Sequence, residues 1–376
     1  MSHDYLSIQK HEQKFEQIAN APVRFLSFIE KNRLPLIRDT LYLTQHCWPS
    51  LNEKIKMKDL IKLLSELQIT DTDKRQVKTV SLLKMISTLV LHKSVTVKGI
   101  NRVNHISFVT SDRVWVSEDN DLILVNTEGD TLHHLTDVNC KWGGHTVNSS
   151  CELLYIEKDG NVKKLSNDNK RISTLIKRRT MWRPSCIYSS PINGDLLIAS
   201  MYIDGPPGWG TWKAKVEKYH QSGKYKKTIM HIRKGQKLLD QPMYITENHN
   251  GDIIMSDWIQ GVVVTEQSGR HRFSYKGHPP GPLLKPCGVC SDALLNILVC
   301  DDISQTVHMI DNNGSFLSFL FTEQLGIVIP MSLCYDDKTH LLWVGCQNND
   351  RVLVYRYIVR QYSLTSPWNY MSSTIQ

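Results

Sequence analysis

The chain has no uncharged apolar run approaching the roughly 18 residues that a membrane-crossing helix needs. A membrane span is therefore not expected. Residues 1–20 are polar and charged and hold no apolar signal-peptide core. Disulfide logic is missing as well. The nine cysteines (Cys47, Cys140, Cys151, Cys186, Cys287, Cys290, Cys300, Cys334 and Cys346) are odd in number and scattered. Several fall inside apolar strand-like runs, where a free thiol packs as a small apolar group. Together these point to a reducing, cytoplasmic setting. One CxxC exists, Cys287–Cys290. A structural zinc site takes four ligands, and no second pair stands at a suitable spacing, so buried structural cysteines are expected rather than zinc. Nucleophile elbows and phosphate-cradling glycine loops are absent too. No cofactor and no catalytic residue is expected from these patterns.

What is present is a repeat. Six seven-residue windows recur: DRVWVSE (112–118), CELLYIE (151–157), GDLLIAS (194–200), GDIIMSD (251–257), LNILVCD (295–301) and THLLWVG (339–345). Their starts are 39, 43, 57, 44 and 44 residues apart. Each has an aliphatic or β-branched middle and polar or glycine ends, the mark of a buried strand. A second strand-like run follows each window after a tight turn. Four of these runs end in Glu128-Gly129, Ser222-Gly223, Ser268-Gly269 and Asn313-Gly314, where a hairpin turn needs φ > 0. A preceding strand begins near His105, His145, Ser185, Met243, Gly288 and Met331. A period of about 40–45 residues with four short strands is the signature of a propeller blade. Six units predict a mainly β chain folded as a six-bladed β-propeller over residues 76–360, followed by a tail at 361–376. Separate hairpins or an open sandwich are the alternative, but they do not bury both faces of a sheet as stacked blades do.

The last unit stops near Ile358 after three strands. Residues 93–98 (KSVTVK) form a spare alternating strand upstream of the first complete unit. They are expected to pair as the outermost strand of the last blade, latching the ring and removing an open edge. Ahead of them, residues 1–75 are rich in Leu, Ile, Lys, Glu and Gln. Ile8, Phe15, Ile18 and Phe25 fall on heptad-like spacing, and Pro22 and Pro35 divide the segment into short helices. Ser50–Glu53 has capping-box spacing ahead of an amphipathic run from Ile55 to Leu67. Either a helical subdomain or the end of a dimerising coiled coil fits this pattern.

Charge is unevenly placed. The chain carries +8 overall, with +12 in residues 161–240 against −6 in 101–160 and −7 in 241–350. Two basic stretches, IKRRTMWRP (176–184) and IMHIRKGQK (229–237), fall where the outer strand of one blade leads to the inner strand of the next. Such loops share one face of a propeller. Lys177, Arg178, Arg179, Arg183, Arg233, Lys234 and Lys237 are expected to converge there with Trp182. Trp142, Trp209, Trp212 and Trp258 are expected in loops of the same face. Basic side chains neutralise phosphates and aromatic faces stack on unpaired bases, so RNA is one candidate partner. An acidic protein or peptide is the other, and an ordinary solvated basic surface remains open. The loop IDGPPGWGTWK (203–213), which accounts for most of the 57-residue spacing, reads as a partly rigid flap or a tolerated insertion.

The windows GDIIMSDWIQGVVVTEQSGR (251–270) and LNILVCDDISQTVHMIDNNGSF (295–316) resemble NHL repeats, with Asp257 and Asp301 at the repeat's Asp position. Glu118, Glu157, Ser200 and Gly345 replace it elsewhere. PVRFLSFIEKNRLP (22–35), LTQHC (43–47) and DLIKLLSEL (59–67) resemble the segment after the coiled coil in tripartite-motif (TRIM) proteins with NHL propellers. The resemblance implies an NHL-type six-bladed propeller behind a short helical segment, and a recognition module that binds RNA or a protein partner. TRIM proteins are often E3 ubiquitin ligases through a RING zinc finger. This chain has no RING or B-box zinc array, so no intrinsic ligase activity is expected. A protein-only adaptor or substrate receptor, assembling through its helices with full-length TRIM partners, is the alternative. Six-bladed propellers also carry metal-dependent lactonases. Glu118, Asp257, Asp301 and Asp302 lie near strand ends, but the repeat itself explains Asp257 and Asp301 as turn-stabilising side chains.

Overall fold

The computed structural model describes residues 82–178, 180–206, 210–230, 238–320, 329–347 and 350–361. The expected helical segment over 1–75 lies outside them, as does the tail beyond Gln361. The described residues form six four-stranded antiparallel sheets, so the chain is a six-bladed β-propeller. Blade one is β2 (His105–Thr110), β3 (Arg113–Glu118), β4 (Asp121–Asn126) and β5 (Thr131–Leu135). Blade two is β6 (His145–Val147), β7 (Leu153–Ile156), β8 (Val162–Leu165) and β9 (Ile172–Ile176). Blade three is β10 (Arg183–Ser189), β11 (Leu196–Asp204), β12 (Thr211–Tyr219) and β13 (Tyr225–Met230). Blade four is β14 (Pro242–Glu247), β15 (Ile253–Asp257), β16 (Gly261–Thr265) and β17 (His271–Tyr275). Blade five is β18 (Pro286–Ser291), β19 (Ile297–Asp301), β20 (Thr306–Ile310) and β21 (Phe316–Phe319). Blade six is β22 (Pro330–Asp336), β23 (Leu341–Cys346) and β24 (Arg351–Gln361), completed by β1 (Leu82–Thr96).

Burial falls from the axis outward, and the sequence follows it. Every residue of β15, β16 and β19 is buried, because the middle strands are covered by a neighbouring blade on each face. That is why these runs carry consecutive apolar residues (253–255, 262–264 and 297–300) rather than an alternation. The outer strands are half exposed and alternate, as in β21. The described cysteines are free thiols, and most of them are buried. Cys287 and Cys290 both lie on β18 inside the core, where burial pushes their thiols up.

Two repeated devices shape the blades. At the turn between the first two strands, an Asn or Asp side chain caps the backbone. Asn148 Oδ1 accepts from the amides of Ser150 (3.0 Å) and Glu152 (2.9 Å). Asn248 does the same for Asn250 and Asp252, and Asp292 for Leu294 and Asn296. The residue just before the last of these amides turns left-handed: Cys151 at φ 58°, Gly251 at 79° and Leu295 at 67°. The second device is the glycine of the outer hairpin. All four expected turn glycines have positive φ. A Cβ on Gly269 would strike the Ile229 carbonyl of the preceding blade, and one on Gly223 would strike that of Leu175. These glycines therefore set hairpin geometry and let each blade seat against its neighbour.

The ring closes as expected, through a strand longer than 93–98. β1 pairs with β24 antiparallel from Leu82↔Gln361 to Thr96↔Arg351. Register shifts between Met85 and Val90 and between Leu91 and Lys93 break the alternation, which hides the first half of the strand from a sequence reading. The loop at 203–213 is also resolved in kind. β11 and β12 continue through Asp204↔Thr211, so the insertion is an extension of that hairpin, and Trp212 sits in a strand opposite Ile203 rather than in a loop. Among the described residues no helix is long and apolar enough to cross a membrane.

Deleting residues 1–98 removes β1 and should abolish cooperative melting, whereas deleting 1–81 leaves the pair intact and should preserve it. Calorimetry of both truncations checks this, and equal melting of the two would show that β1 is dispensable. Gly269→Ala should cost about 3 kcal/mol, from a left-handed backbone and a blocked blade contact, measured by chemical denaturation.

Candidate functional site

Strands alternate in direction, so a propeller has two faces. The loops leading into each inner strand and the turns between the middle strands share one face, here the loop face. Turns after the inner strands and the outer hairpin turns share the other. Lys177, Arg178 and Trp182 lie between β9 and β10, and Arg183 opens β10, all at the loop face. Arg179, Arg233, Lys234 and Lys237 lie outside the described residues, as does Trp209.

The basic residues that are described divide into two kinds. Lys177 and Arg183 are exposed. Arg178 is half-buried and its guanidinium is already in use: Nε donates to the Thr180 carbonyl at 3.0 Å and an Nη to that of Asp159 at 3.1 Å. It folds over the turn at Asp159-Gly160 and ties two loops together, so its guanidinium is engaged within the chain. Trp182 is half-buried. It meets Tyr202 edge-on at 4.5 Å, and the Lys215 ammonium sits over its ring at 4.7 Å. One face of the indole is thus occupied by a cation from β12. Trp142 and Trp258 are partly buried against the core, and Lys285 stands over Trp258 at 5.5 Å. Exposed apolar residues share this face: Met181 (67 % exposed), Leu283 (72 %), Ile259 and Ile303.

The acidic strand ends are spent on the backbone. Asp257 Oδ2 accepts from the amides of Asp240 (2.7 Å) and Gln241 (2.8 Å), and its Oδ1 from Ile259 and Gln260. Asp301 takes the amides of Lys285 and Ser304 and the Ser304 hydroxyl. Its carboxyl is buried, yet contacts with His308, Ser304 and the Lys285 amide hold it down at about 2. Each Asp joins the loop entering its blade to the turn beside it. In blade one Glu118 does part of the same work with a longer arm, accepting from Asn101 N at 3.0 Å. Among the described residues no group of three or more His, Cys, Asp or Glu is placed to hold a metal ion.

A cavity of about 260 Å³ runs along the axis, lined by all six inner strands. Its mouth lies on the face opposite the loop face, where His249 of blade four meets Asp337 of blade six at 3.4 Å. That carboxylate raises the His249 pKa. At the other end the chain bridges the axis. Gly143 N donates to the Met243 carbonyl, Ile187 N to that of Gly143, and the Tyr244 hydroxyl reaches the Asn104 carbonyl in blade one. His105 and His145 line this end with ring centroids 4.5 Å apart. Burial lowers both, His105 to about 4 and His145 well below the ordinary imidazole range. In the sequence these histidines mark only where inner strands begin. Their meeting is a product of the packing of blade two against blade one, and no local pattern reveals it.

No protein-family model matches the chain, and no curated protein matches it. Solved structures do. An auxiliary nutrient binding protein from Bacteroides thetaiotaomicron is similar at 12% identity over 73% of this chain and 77% of that one, with a TM-score of 0.53. A Bacteroides thetaiotaomicron protein of unknown function is similar at 13% identity over 74% and 76%, with a TM-score of 0.52. A gluconolactonase from Xanthomonas campestris is similar at 11% identity over 71% and 98%, with a TM-score of 0.51. At these identities the likeness shows the fold. The same fold carries binding and catalysis, so function has to be argued from the site.

Because the Asp301 pKa is depressed in the folded protein, its contribution to stability is complete above the ordinary carboxylate range and is lost as pH falls toward about 2. The stability gap between wild type and Asp301→Asn should therefore narrow steadily as pH drops from about 5 to about 2. Denaturation midpoints of the two proteins across that window check the sign.

Proposed function

We propose that the chain is a non-catalytic recognition module of the TRIM-NHL-like kind, and that it binds RNA through the loop face around blades two and three. The observation that supports this reading is the concentration of +12 in residues 161–240, with Lys177 and Arg183 exposed beside Trp182 on one face. Exposed cations at loop ends release counterions when they meet phosphates, and a half-open indole offers one face to an unpaired base. Arg178 serves that surface indirectly, by fixing the loop that carries its neighbours. Arg179, Arg233, Lys234 and Lys237 extend the same basic stretches in the sequence and belong to the proposal.

A second reading has its own support. Met181, Ile259, Leu283 and Ile303 leave apolar surface exposed on the same face, which suits a protein or acidic peptide better than a sugar-phosphate chain. In that form the chain is an adaptor or substrate receptor, joined to full-length TRIM partners in the cytoplasm through the helical segment expected from the sequence of residues 1–75. Neither reading includes ubiquitin transfer by this chain alone, since it lacks the RING zinc ligands. Purified protein supplied with conjugating enzymes should build no ubiquitin chains.

The RNA reading predicts binding that weakens steeply with salt, with a log–log slope of roughly −0.7 per phosphate contact. Exchanging both Lys177 and Arg183 for Glu should lower affinity on the order of tenfold and flatten the slope by about 1.4. Trp182→Ala should cost about 1–3 kcal/mol of binding if a base stacks on the open face. Single-stranded RNA titrations at several salt concentrations read all three. Affinity left intact in the double Glu variant removes this site. Binding of acidic peptide but not RNA, sensitive to Leu283→Asp, moves the conclusion to the second reading.

A further inference from the structure

Part of the basic charge in residues 161–240 lies on the rim of the ring, away from the loop face. Lys163 and Lys164 are paired with Glu157 and Glu152, and Lys218 and Lys226 share the buried Asp195. Lys170 and Arg171 in the outer turn of blade two, and Lys224 and Lys227 in the outer turn and strand of blade three, are exposed. None of these last four forms a salt bridge among the described residues. Acid is scarce around them. Residues 220–230 contain no Asp or Glu. Residues 166–177 contain only Asp168, whose carboxylate accepts from the Ser166 hydroxyl and the Lys170 amide. The outer turns of blades one, four and five each carry acid: Glu128 and Asp130, Glu266, and Asp311.

The edges of blades two and three form one surface. β9 and β13 are the outermost strands of adjacent sheets. The turn of blade three rests on β9: a Cβ on Gly223 would lie 2.3 Å from the Leu175 carbonyl oxygen and 3.2 Å from the Ile176 side chain. Lys224 follows that glycine. Arg171 lies back along the strand from Leu175 by roughly 13 Å. Ile172 (49 % exposed) and Tyr225 (51 %) stand among the cations. Two neighbouring edges of a six-bladed ring share a tangent plane, so one flat partner reaches both.

We propose that this rim docks the propeller edge-on against an anionic lipid bilayer. Lys170, Arg171, Lys224 and Lys227 meet separate lipid headgroups, and Ile172 and the Tyr225 ring enter the interfacial layer between them. The contact is peripheral and needs no membrane span. An added β-strand suits the place poorly, because the turn of the next blade lies over each outer strand: that of blade three over Leu175 and that of blade four over Ile229. An RNA strand would use the cations but gain nothing from Ile172, which has no aromatic face for a base. Lys177 and Arg183 stand at the loop face and take no part, so this surface is separate from the one proposed for RNA.

The test is co-sedimentation of the full chain with vesicles of phosphatidylcholine and phosphatidylserine, beside vesicles of phosphatidylcholine alone. A cation near an anionic membrane surface contributes about fivefold to partitioning. Lys224→Gln combined with Lys227→Gln should therefore weaken binding to the anionic vesicles about twentyfold, and Lys170→Gln combined with Arg171→Gln should do the same. Lys158→Gln, which removes an exposed cation on the loop face, should leave it unchanged. Salt at several times the physiological concentration should release the wild type. Failure of the wild type to bind anionic vesicles, or equal binding to neutral ones, overturns the proposal. Vesicle binding unchanged in both double variants places the contact elsewhere and overturns it too. RNA affinity lost in those variants while vesicle binding is kept assigns the rim to nucleic acid, and this also overturns it.

Discussion

Ring closure rests on one strand pair, β1 against β24. Six sheets stacked around an axis bury their faces only if the first and last also meet, since otherwise two blades present uncovered apolar flanks. The pair runs from Leu82↔Gln361 to Thr96↔Arg351 and supplies the fourth strand of blade six. Much else is conditional on it. Ser332 Oγ in blade six accepts from the Ile106 amide in blade one, and Val103 N bonds the Cys346 carbonyl. The cross-axis hydroxyl of Tyr244 finds Asn104 only when blade one is held beside blade six. The axial cavity, walled by all six inner strands, exists only in the closed ring.

Most of this architecture is legible in the sequence, because it is written in local terms. A buried strand between two covering blades must be apolar along its middle, as at residues 253–255 and 297–300. A hairpin pressed against its neighbour must have glycine, as at Gly223 and Gly269. The turns after the inner strands are less visible. Their left-handed position is filled by Cys151 and Leu295 where glycine would be the signal, and it is held by side chains such as Asn148 and Asp292 three residues earlier. The latch is legible only over its regular half, since bulges erase the alternation before Lys93.

The candidate sites are less legible still. Charge density marks the segment that holds Lys177 and Arg183, but it does not distinguish an exposed cation from Arg178, which is consumed by the carbonyls of Thr180 and Asp159. Nor does it show that Lys215, from another strand, already covers one face of Trp182. His105 and His145 stand 40 residues apart in separate repeats. Their pairing depends on the angle between two blades, which no residue pattern encodes. Asp257 and Asp301 are the opposite case: the repeat position predicts their role because each partner lies within 17 residues.

The direction of the latch has a mechanical consequence. Because β1 and β24 are antiparallel, Leu82 and Gln361 sit at the same end of the pair. A load that draws those two ends apart does not shear the whole ladder at once. It peels the bonds one after another, beginning at Leu82↔Gln361, and the register breaks at Met85/Val90 and Leu91/Lys93 leave fewer bonds to resist at the start. The ring is therefore closed against thermal opening, which must expose two blade flanks together, but weak against tension on its two flanking segments. Anything tethered to both ends could unzip the propeller at forces far below those that break a sheared sheet, and the ring would reseal from Thr96↔Arg351 once the load is released.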